Sequence, residues 1–97
     1  MIKHIVFFKL SQEGLKKQDL IVEKLNNLKE EIPFVRELEV GINFADEQRA
    51  FDIALTVVVD SKEALNEYAI HPQHVEFVNL VKSLDTQTKV IDYEVEK

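Results

Sequence analysis

Five residues have side chains suited to proton chemistry, and three of them lie within one short segment. Tyr68, His71 and His74 are close together in the sequence, whereas His4 and Asp92 lie near its two ends. A neutral imidazole is an effective general base near neutral pH. A tyrosine hydroxyl can donate a hydrogen bond to a developing oxyanion. If the fold gathers these residues, the set suits removal of a proton next to a carbonyl group.

His74 is the best candidate for the base. It follows Pro72 within the first turn of a helix that restarts there, and the positive end of the helix dipole disfavours an imidazolium. A carboxylate such as Asp92, bonded to the other ring nitrogen, would fix the tautomer. Tyr68 would then stabilise the charge that develops on the carbonyl oxygen.

The same residues allow two other interpretations. A lone histidine or tyrosine on a half-buried helix is often a packed residue with one satisfied hydrogen bond. His71 would then only cap the helix break, and Asp92 would face solvent. Alternatively, His4, His71, His74 and Asp92 could hold zinc or another divalent ion. Because His71 and His74 flank a backbone break, we predict no metal site, and no other cofactor.

Hydrophobic periodicity predicts four strands and two helices. Pro33 should end the first helix, since the residue before a proline is pushed out of helical geometry. Pro72 should interrupt the second helix, because it lacks an N–H group but suits the first position of a new helix. The strands are expected over residues 2–10, 38–44, 51–59 and 88–95, and the helices over 13–32 and 64–84.

The order of these elements predicts the fold class. A β-α-β-β-α-β order is typical of an α+β, ferredoxin-like domain, here a single domain over residues 1–97. Right-handed crossovers give an antiparallel sheet in the order 4-1-3-2, with both helices on one face. The last strand then lies beside the first, so that Asp92 approaches His4. The second helix begins at the same edge of the sheet, which brings Tyr68 and His74 within reach.

Composition and charge limit the partners of the chain. There are 18 acidic and 12 basic residues, and the resulting charge of -6 disfavours nucleic acid and anionic membrane surfaces. Cysteine is absent, which fits a cytoplasmic location. The first strand is apolar on both faces, and the helices cover only one of them. Ile5 and Phe7 would remain bare, which predicts a homodimer formed through the sheet face opposite the helices.

Three segments carry a resemblance to a known family. Met1–His4 followed by an apolar strand, Tyr68–Val75, and Ile91–Tyr93 resemble the stress-responsive A/B barrel, or Dabb, family. The resemblance implies a dimeric α+β barrel. It also implies cofactor-free activity like that of a plant polyketide cyclase of the family, which closes a linear polyketide thioester by intramolecular aldol condensation. Tyr68 and His74 would be the catalytic pair, with His4 and Asp92 in support.

The resemblance and the strand faces together predict the wall of a small-molecule pocket. Glu76 and Val78 replace two glycines of the family enzyme, so the pocket should differ in shape. A lyase or cyclase, a non-catalytic stress-related or ligand-binding dimer and, by analogy of fold, a cofactor-independent monooxygenase all stay open. The predicted substrate-binding residues are Val6, Phe8, Ile21, Leu25, Leu65, Val75, Phe77 and Val90.

Overall fold

The computed structural model describes residues 1–95, and these form four strands and four helices. The predicted domain also includes Glu96 and Lys97, which lie outside the described part. The sheet is antiparallel in the order β2-β3-β1-β4, which is the predicted order 4-1-3-2 counted from the other edge. The elements are β1 (Ile2–Lys9), α1 (Gln12–Lys16), α2 (Gln18–Glu31), β2 (Glu37–Ile42), β3 (Ile53–Val59), α3 (Lys62–Ile70), α4 (Pro72–Ser83) and β4 (Gln87–Glu94).

One face of the sheet packs against the helices and forms the core. Residues directly opposite each other in antiparallel strands share a face, so that Val6 lies beside Leu55 on one side and Val90 on the other. The alternation predicted for the strands is therefore confirmed on this inner face. The helices supply the opposing apolar side chains of the core, which include Ile21, Leu25, Leu28, Tyr68, Phe77 and Val81.

The opposite face of the sheet is left open. Phe7 projects from β1 with 47% of its surface exposed, and Ile91 projects from β4 with 58% exposed. These two side chains alternate with Val6 and Val90, the inner-face residues of their strands, which places them on the outer face. Within residues 1–95, no helix packs on this side to cover them.

The first helical segment differs from the single helix expected over residues 13–32. It consists of α1 and α2, separated at Lys17, whose φ of -109° and ψ of 16° depart from helical values. The apolar stripe of α2 begins at Ile21 and has no apolar residue one turn earlier, at Lys17 or Gln18. Because these turns bury little apolar surface, little holds α1 and α2 in one continuous helix. Pro33 acts as predicted, because Ile32 before it is extended.

The second helical segment is broken where the sequence predicts. His71 is extended, with φ of -61° and ψ of 135°, and Pro72 is the first residue of α4. His71 also caps α4, since its Nδ1 accepts a hydrogen bond from the Gln73 backbone N–H at 3.2 Å. The alternative interpretation of His71, as a cap at the helix break, is confirmed.

The hairpin between β2 and β3 is looser than expected. β2 ends at Ile42 and β3 begins at Ile53, so that Phe44 and Phe51 fall in the connecting loop. Phe44 is fully exposed.

None of the helices in the described part of the chain is both long and apolar enough to cross a membrane.

Candidate active site

A cavity of about 300 Å³ lies between the inner face of the sheet and α3 and α4. Its middle is apolar, and both of its ends are polar. The apolar wall includes Val6, Phe8, Leu55, Phe77, Val81 and Val90. The polar lining consists of His4, Tyr68 and His74 toward one end and Lys82, Thr86 and Thr88 toward the other.

His74 is oriented by the break between α3 and α4. In an unbroken helix the Ala69 carbonyl would accept a hydrogen bond from the Gln73 N–H, but that N–H is bonded to His71 instead. The Ala69 carbonyl is therefore free to accept from Nδ1 of His74, at 2.9 Å. With its proton on Nδ1, His74 has a lone pair on Nε2 and can act as a base.

The surroundings of His74 favour its neutral form. Burial of the ring lowers the pKa of His74 below its ordinary value, the bond to the Ala69 carbonyl opposes this, and repulsion from His4 and His71 adds to the lowering. The expectation that Asp92 fixes the tautomer of His74 is wrong, because a backbone carbonyl does so and Asp92 bonds to His4.

Tyr68 lies beside His74 at the last turn of α3. The side chain is 1% exposed, and its ring centroid is 4.5 Å from that of His74. Its hydroxyl is buried without a hydrogen-bond partner among residues 1–95, and such a group costs about 1–3 kcal/mol. Burial also raises the pKa of the Tyr68 hydroxyl, which therefore keeps its proton and remains a donor.

His4 and Asp92 form the pair expected from the strand order. They are directly opposite each other in β1 and β4, and Nδ1 of His4 is hydrogen-bonded to the Asp92 carboxylate. The ring of His4 lies edge-on to Tyr68, with centroids 5.8 Å apart. The aspartate therefore holds the histidine, and the histidine in turn contacts the tyrosine.

His71 does not join this group of residues. Its ring packs edge-on against Phe34, with centroids 6.3 Å apart, and its Nδ1 is engaged as the cap of α4. Within residues 1–95 there is no cluster of three or more histidine, aspartate and glutamate side chains that could hold a metal ion. The alternative of a metal site built from His4, His71, His74 and Asp92 therefore has no geometric support here.

Four of the eight predicted wall residues line the cavity, namely Val6, Phe8, Phe77 and Val90. The other four lie elsewhere. Ile21 and Leu25 are fully buried in the core, because α2 uses its apolar stripe to pack rather than to border a space. Leu65 faces a separate open depression beside β4, and Val75 is 42% exposed outside the cavity.

Several lining residues were missed, and some had a recognisable signal. Leu55 pairs with Val6, Val78 lies one turn after His74, and Val81 lies one turn after Phe77, so periodicity could have located all three. Lys82 lies one turn after Val78 and Thr88 lies opposite Phe8, so periodicity could have located these two as well. Thr86 had no such signal, because its position depends on how the chain leaves α4.

Comparison with known proteins agrees with this architecture. Residues 2–95 match the family described as the stress-responsive A/B barrel domain. The chain belongs to this family. An uncharacterised Streptomyces coelicolor protein is 33% identical to this Dabb chain over 97 residues, covering 97% of it and 99% of the relative.

Two solved structures illustrate the range of proteins with a similar fold. A dimeric protein of unknown function with a ferredoxin-like fold, from Bacteroides fragilis, is 31% identical with a TM-score of 0.83, covering 97% of this chain and 95% of its own. The hydroxynitrile lyase from Passiflora edulis is 24% identical with a TM-score of 0.83, covering 99% and 94% respectively. At that identity the second likeness shows the fold alone.

Proposed function

We propose that this Dabb protein is a cofactor-free enzyme of the lyase or cyclase type that acts on a small carbonyl compound. The observation that carries the proposal is the hydroxyl of Tyr68, which is buried without a partner among residues 1–95 and lies beside a His74 ring whose Nε2 carries a lone pair. Both side chains line the same cavity. A carbonyl oxygen bound between them would accept from the tyrosine and offset the cost of burying it.

The proposed reaction begins with proton transfer to His74. Nε2 takes a proton from the carbon next to the carbonyl, and the electron pair of that C–H bond moves into an enolate whose charge rests on oxygen. Tyr68 donates a hydrogen bond to this oxygen without losing its own proton. The enolate carbon can then attack a second carbonyl in a ring closure, and the alkoxide that forms takes the proton back from Nε2 of His74. In the reverse sense, Nε2 takes the proton of a β-hydroxyl group, the C–C bond cleaves to an enolate, and His74 gives that proton to the enolate carbon.

His4 and Asp92 would act by positioning the tyrosine. The carboxylate anchors Nδ1 of His4, and the edge of the imidazole limits the orientations that the Tyr68 ring can adopt. Such supporting contacts matter because catalytic hydrogen-bond donors work best when they are held before the charge develops. Val6, Phe8, Phe77 and Val90 would bind the apolar part of the substrate.

The lyase class is supported by the occurrence of one lyase on this fold, the hydroxynitrile lyase from Passiflora edulis. We also propose that the chain forms a homodimer through the outer face of the sheet. Neighbours from Bacteroides fragilis and Thermobifida fusca are described as dimeric, and Phe7 and Ile91 expose apolar surface there. A cytoplasmic location stays a prediction.

Isotope exchange tests the proposed proton transfer directly. The protein would be incubated with simple β-keto esters and methyl ketones in D₂O, and loss of the α-proton signal would be followed by NMR. We expect accelerated exchange in the native protein and a loss of about 10²- to 10⁴-fold in His74→Gln. Asn79→Ala, an exposed change on the same helix, should leave the rate unchanged.

Two results would contradict the proposal. One is an exchange rate in His74→Gln equal to that of the native protein, which would remove the base from the mechanism. The other is tight binding of carbonyl ligands in the cavity without any exchange, which would favour the non-catalytic, ligand-binding function instead.

A further inference from the structure

The end of the cavity opposite His74 is polar although no part of the proposed proton transfer needs it to be. Lys82, Thr86 and Thr88 line this end. Thr88 lies opposite Phe8 in the sheet, whereas Asp92 lies opposite His4. Four residues along an antiparallel strand span roughly 13 Å, so the two polar ends are separated by about the length of a short extended molecule.

Thr86 is held in place by the way α4 ends. Its backbone N–H bonds to the Val81 carbonyl at 3.1 Å, and the N–H of Asp85 bonds to the Lys82 carbonyl at 3.1 Å. Asp85 has a φ of 54°, the left-handed conformation that this type of helix ending requires. The chain therefore turns back sharply, which fixes Thr86 beside the last turn of the helix.

Thr86, which lines this cavity, carries the second buried hydroxyl without a partner among residues 1–95. Its Oγ1 atom is buried without a hydrogen bond to any residue in the described part of the chain, as is the hydroxyl of Tyr68. An unpartnered buried hydroxyl is costly. Two of them in one cavity, one toward each end, match a ligand with an oxygen at both ends.

Lys82 determines the charge that such a ligand should carry. It is the basic residue in the last turn of α4, and its side chain borders the cavity beside Thr86. Its ammonium group forms no ion pair with residues 1–95. A lysine beside a hydroxyl donor is a suitable partner for an anionic oxygen group.

We propose that Lys82 and Thr86 bind a carboxylate, so that the ligand is an elongated oxo acid with its carbonyl at Tyr68 and His74. The placement of the carbonyl rests on the proposed function. Between the two polar ends, the apolar wall around Val6, Val81 and Val90 accommodates methylene groups or a ring. The Thr86 hydroxyl donates to one carboxylate oxygen, and the Lys82 ammonium neutralises the charge.

The test uses pairs of ligands and a matched pair of lysine variants. Methyl-ketone carboxylates with spacers of increasing length, and their uncharged methyl esters, would be titrated calorimetrically into the full-length protein. We expect the acid to bind about tenfold more tightly than its ester once the spacer spans the cavity, which corresponds to about 1.4 kcal/mol. Lys82→Met should abolish this advantage without weakening ester binding.

Two further variants sharpen the result. Lys29→Met also removes a lysine from the last turn of a helix, but in α2, and it should leave the preference for the acid intact. Thr86→Val should reduce the preference and leave the thermal stability unchanged or raised, because it removes an unpartnered buried hydroxyl.

The proposal is overturned if acids and esters bind equally at every spacer length, or if the preference survives in Lys82→Met. Isotope exchange separates this outcome from failure of the proposed function. If the protein still exchanges the α-proton but binds acids and esters equally, only the carboxylate site is rejected. A preference for acids that depends on Lys82, without exchange, supports that site and rejects the proposed catalysis.

Discussion

Both helical segments of this protein are interrupted, and the two breaks have different consequences. At Lys17 the chain only changes direction, and the backbone N–H of Lys17 donates a hydrogen bond to the nearby Gly14 carbonyl at 3.0 Å. At His71 and Pro72 the break also releases the Ala69 carbonyl, which then orients His74. A helix break thus contributes to a site when a nearby side chain uses the backbone group that the break releases.

Apart from the loss of the base itself in His74→Gln, the largest expected effect is at Tyr68, the buried residue just before the functional break. Tyr68→Phe should lower the exchange rate by about 10²- to 10³-fold, because it removes the donor to the developing oxyanion. The free energy of unfolding should stay the same or rise by about 1 kcal/mol, since the lost hydroxyl had no partner among the described residues. Kinetics and urea denaturation together measure both effects, and a large loss of stability would point to a structural role instead.

The second prediction changes the two breaks themselves. Pro72→Ala permits a continuous helix in which the Gln73 N–H can donate a hydrogen bond to the Ala69 carbonyl. His74 then loses this carbonyl as its partner. We expect the exchange rate to fall by about 10- to 100-fold, as for other small misplacements of catalytic groups. Lys17→Ala at the other break should leave the rate unchanged. Equal rates in all three proteins would show that the break at Pro72 does not orient the base.

The third prediction compares the serines that cap the two helical segments. Ser61 accepts a hydrogen bond from the Ala64 N–H at 3.1 Å, and its replacement by alanine should cost about 1 kcal/mol. Ser11 caps α1 in the same way but also donates to the Leu84 carbonyl at the end of α4. Ser11→Ala should therefore cost about 2 kcal/mol. Urea denaturation of both variants measures the difference, and equal costs would mean that the contact with Leu84 adds nothing.

The smallest effect is a pH dependence of stability at the functional break. Burial lowers the pKa of His74 in the folded protein, so the unfolded chain binds this proton more tightly. The contribution of neutral His74 to the free energy of unfolding is complete above pH ~6.5, the pKa in the unfolded chain. It is lost as the pH falls from there toward the lower pKa of the folded protein. Comparing the free energies of unfolding of the native protein and His74→Gln between about pH 7.5 and 5.5 isolates the effect. The reverse slope would contradict the direction of the shift.

Much of the fold could be predicted because it depends on local patterns. Alternation within the strands and the handedness of the connections determined the sheet order, and the sheet order brought Asp92 to His4. The break at Pro72 was predictable because proline acts on its own backbone. The break at Lys17 was not, because lysine and glutamine both favour helices and neither ends a helix by itself.

The site was harder to predict where it depends on the backbone or on distant packing. The partner of His74 is a carbonyl, and carbonyls leave no mark in a pattern of side chains. Periodicity showed that Ile21 and Leu25 are buried but could not distinguish a core from the wall of a cavity. Thr86 depends on the left-handed conformation of Asp85, which is an uncommon conformation for a residue other than glycine.

The position of β4 in the chain has a consequence for how the protein is made. This strand follows every other element, yet it supplies Thr88 and Val90 to the cavity and Asp92 to His4. Until β4 has left the ribosome, β1 lacks one of its two neighbouring strands and the cavity lacks one wall. A ligand can therefore bind the finished cavity only after synthesis has passed β4, and cannot assist the folding of the nascent chain before then.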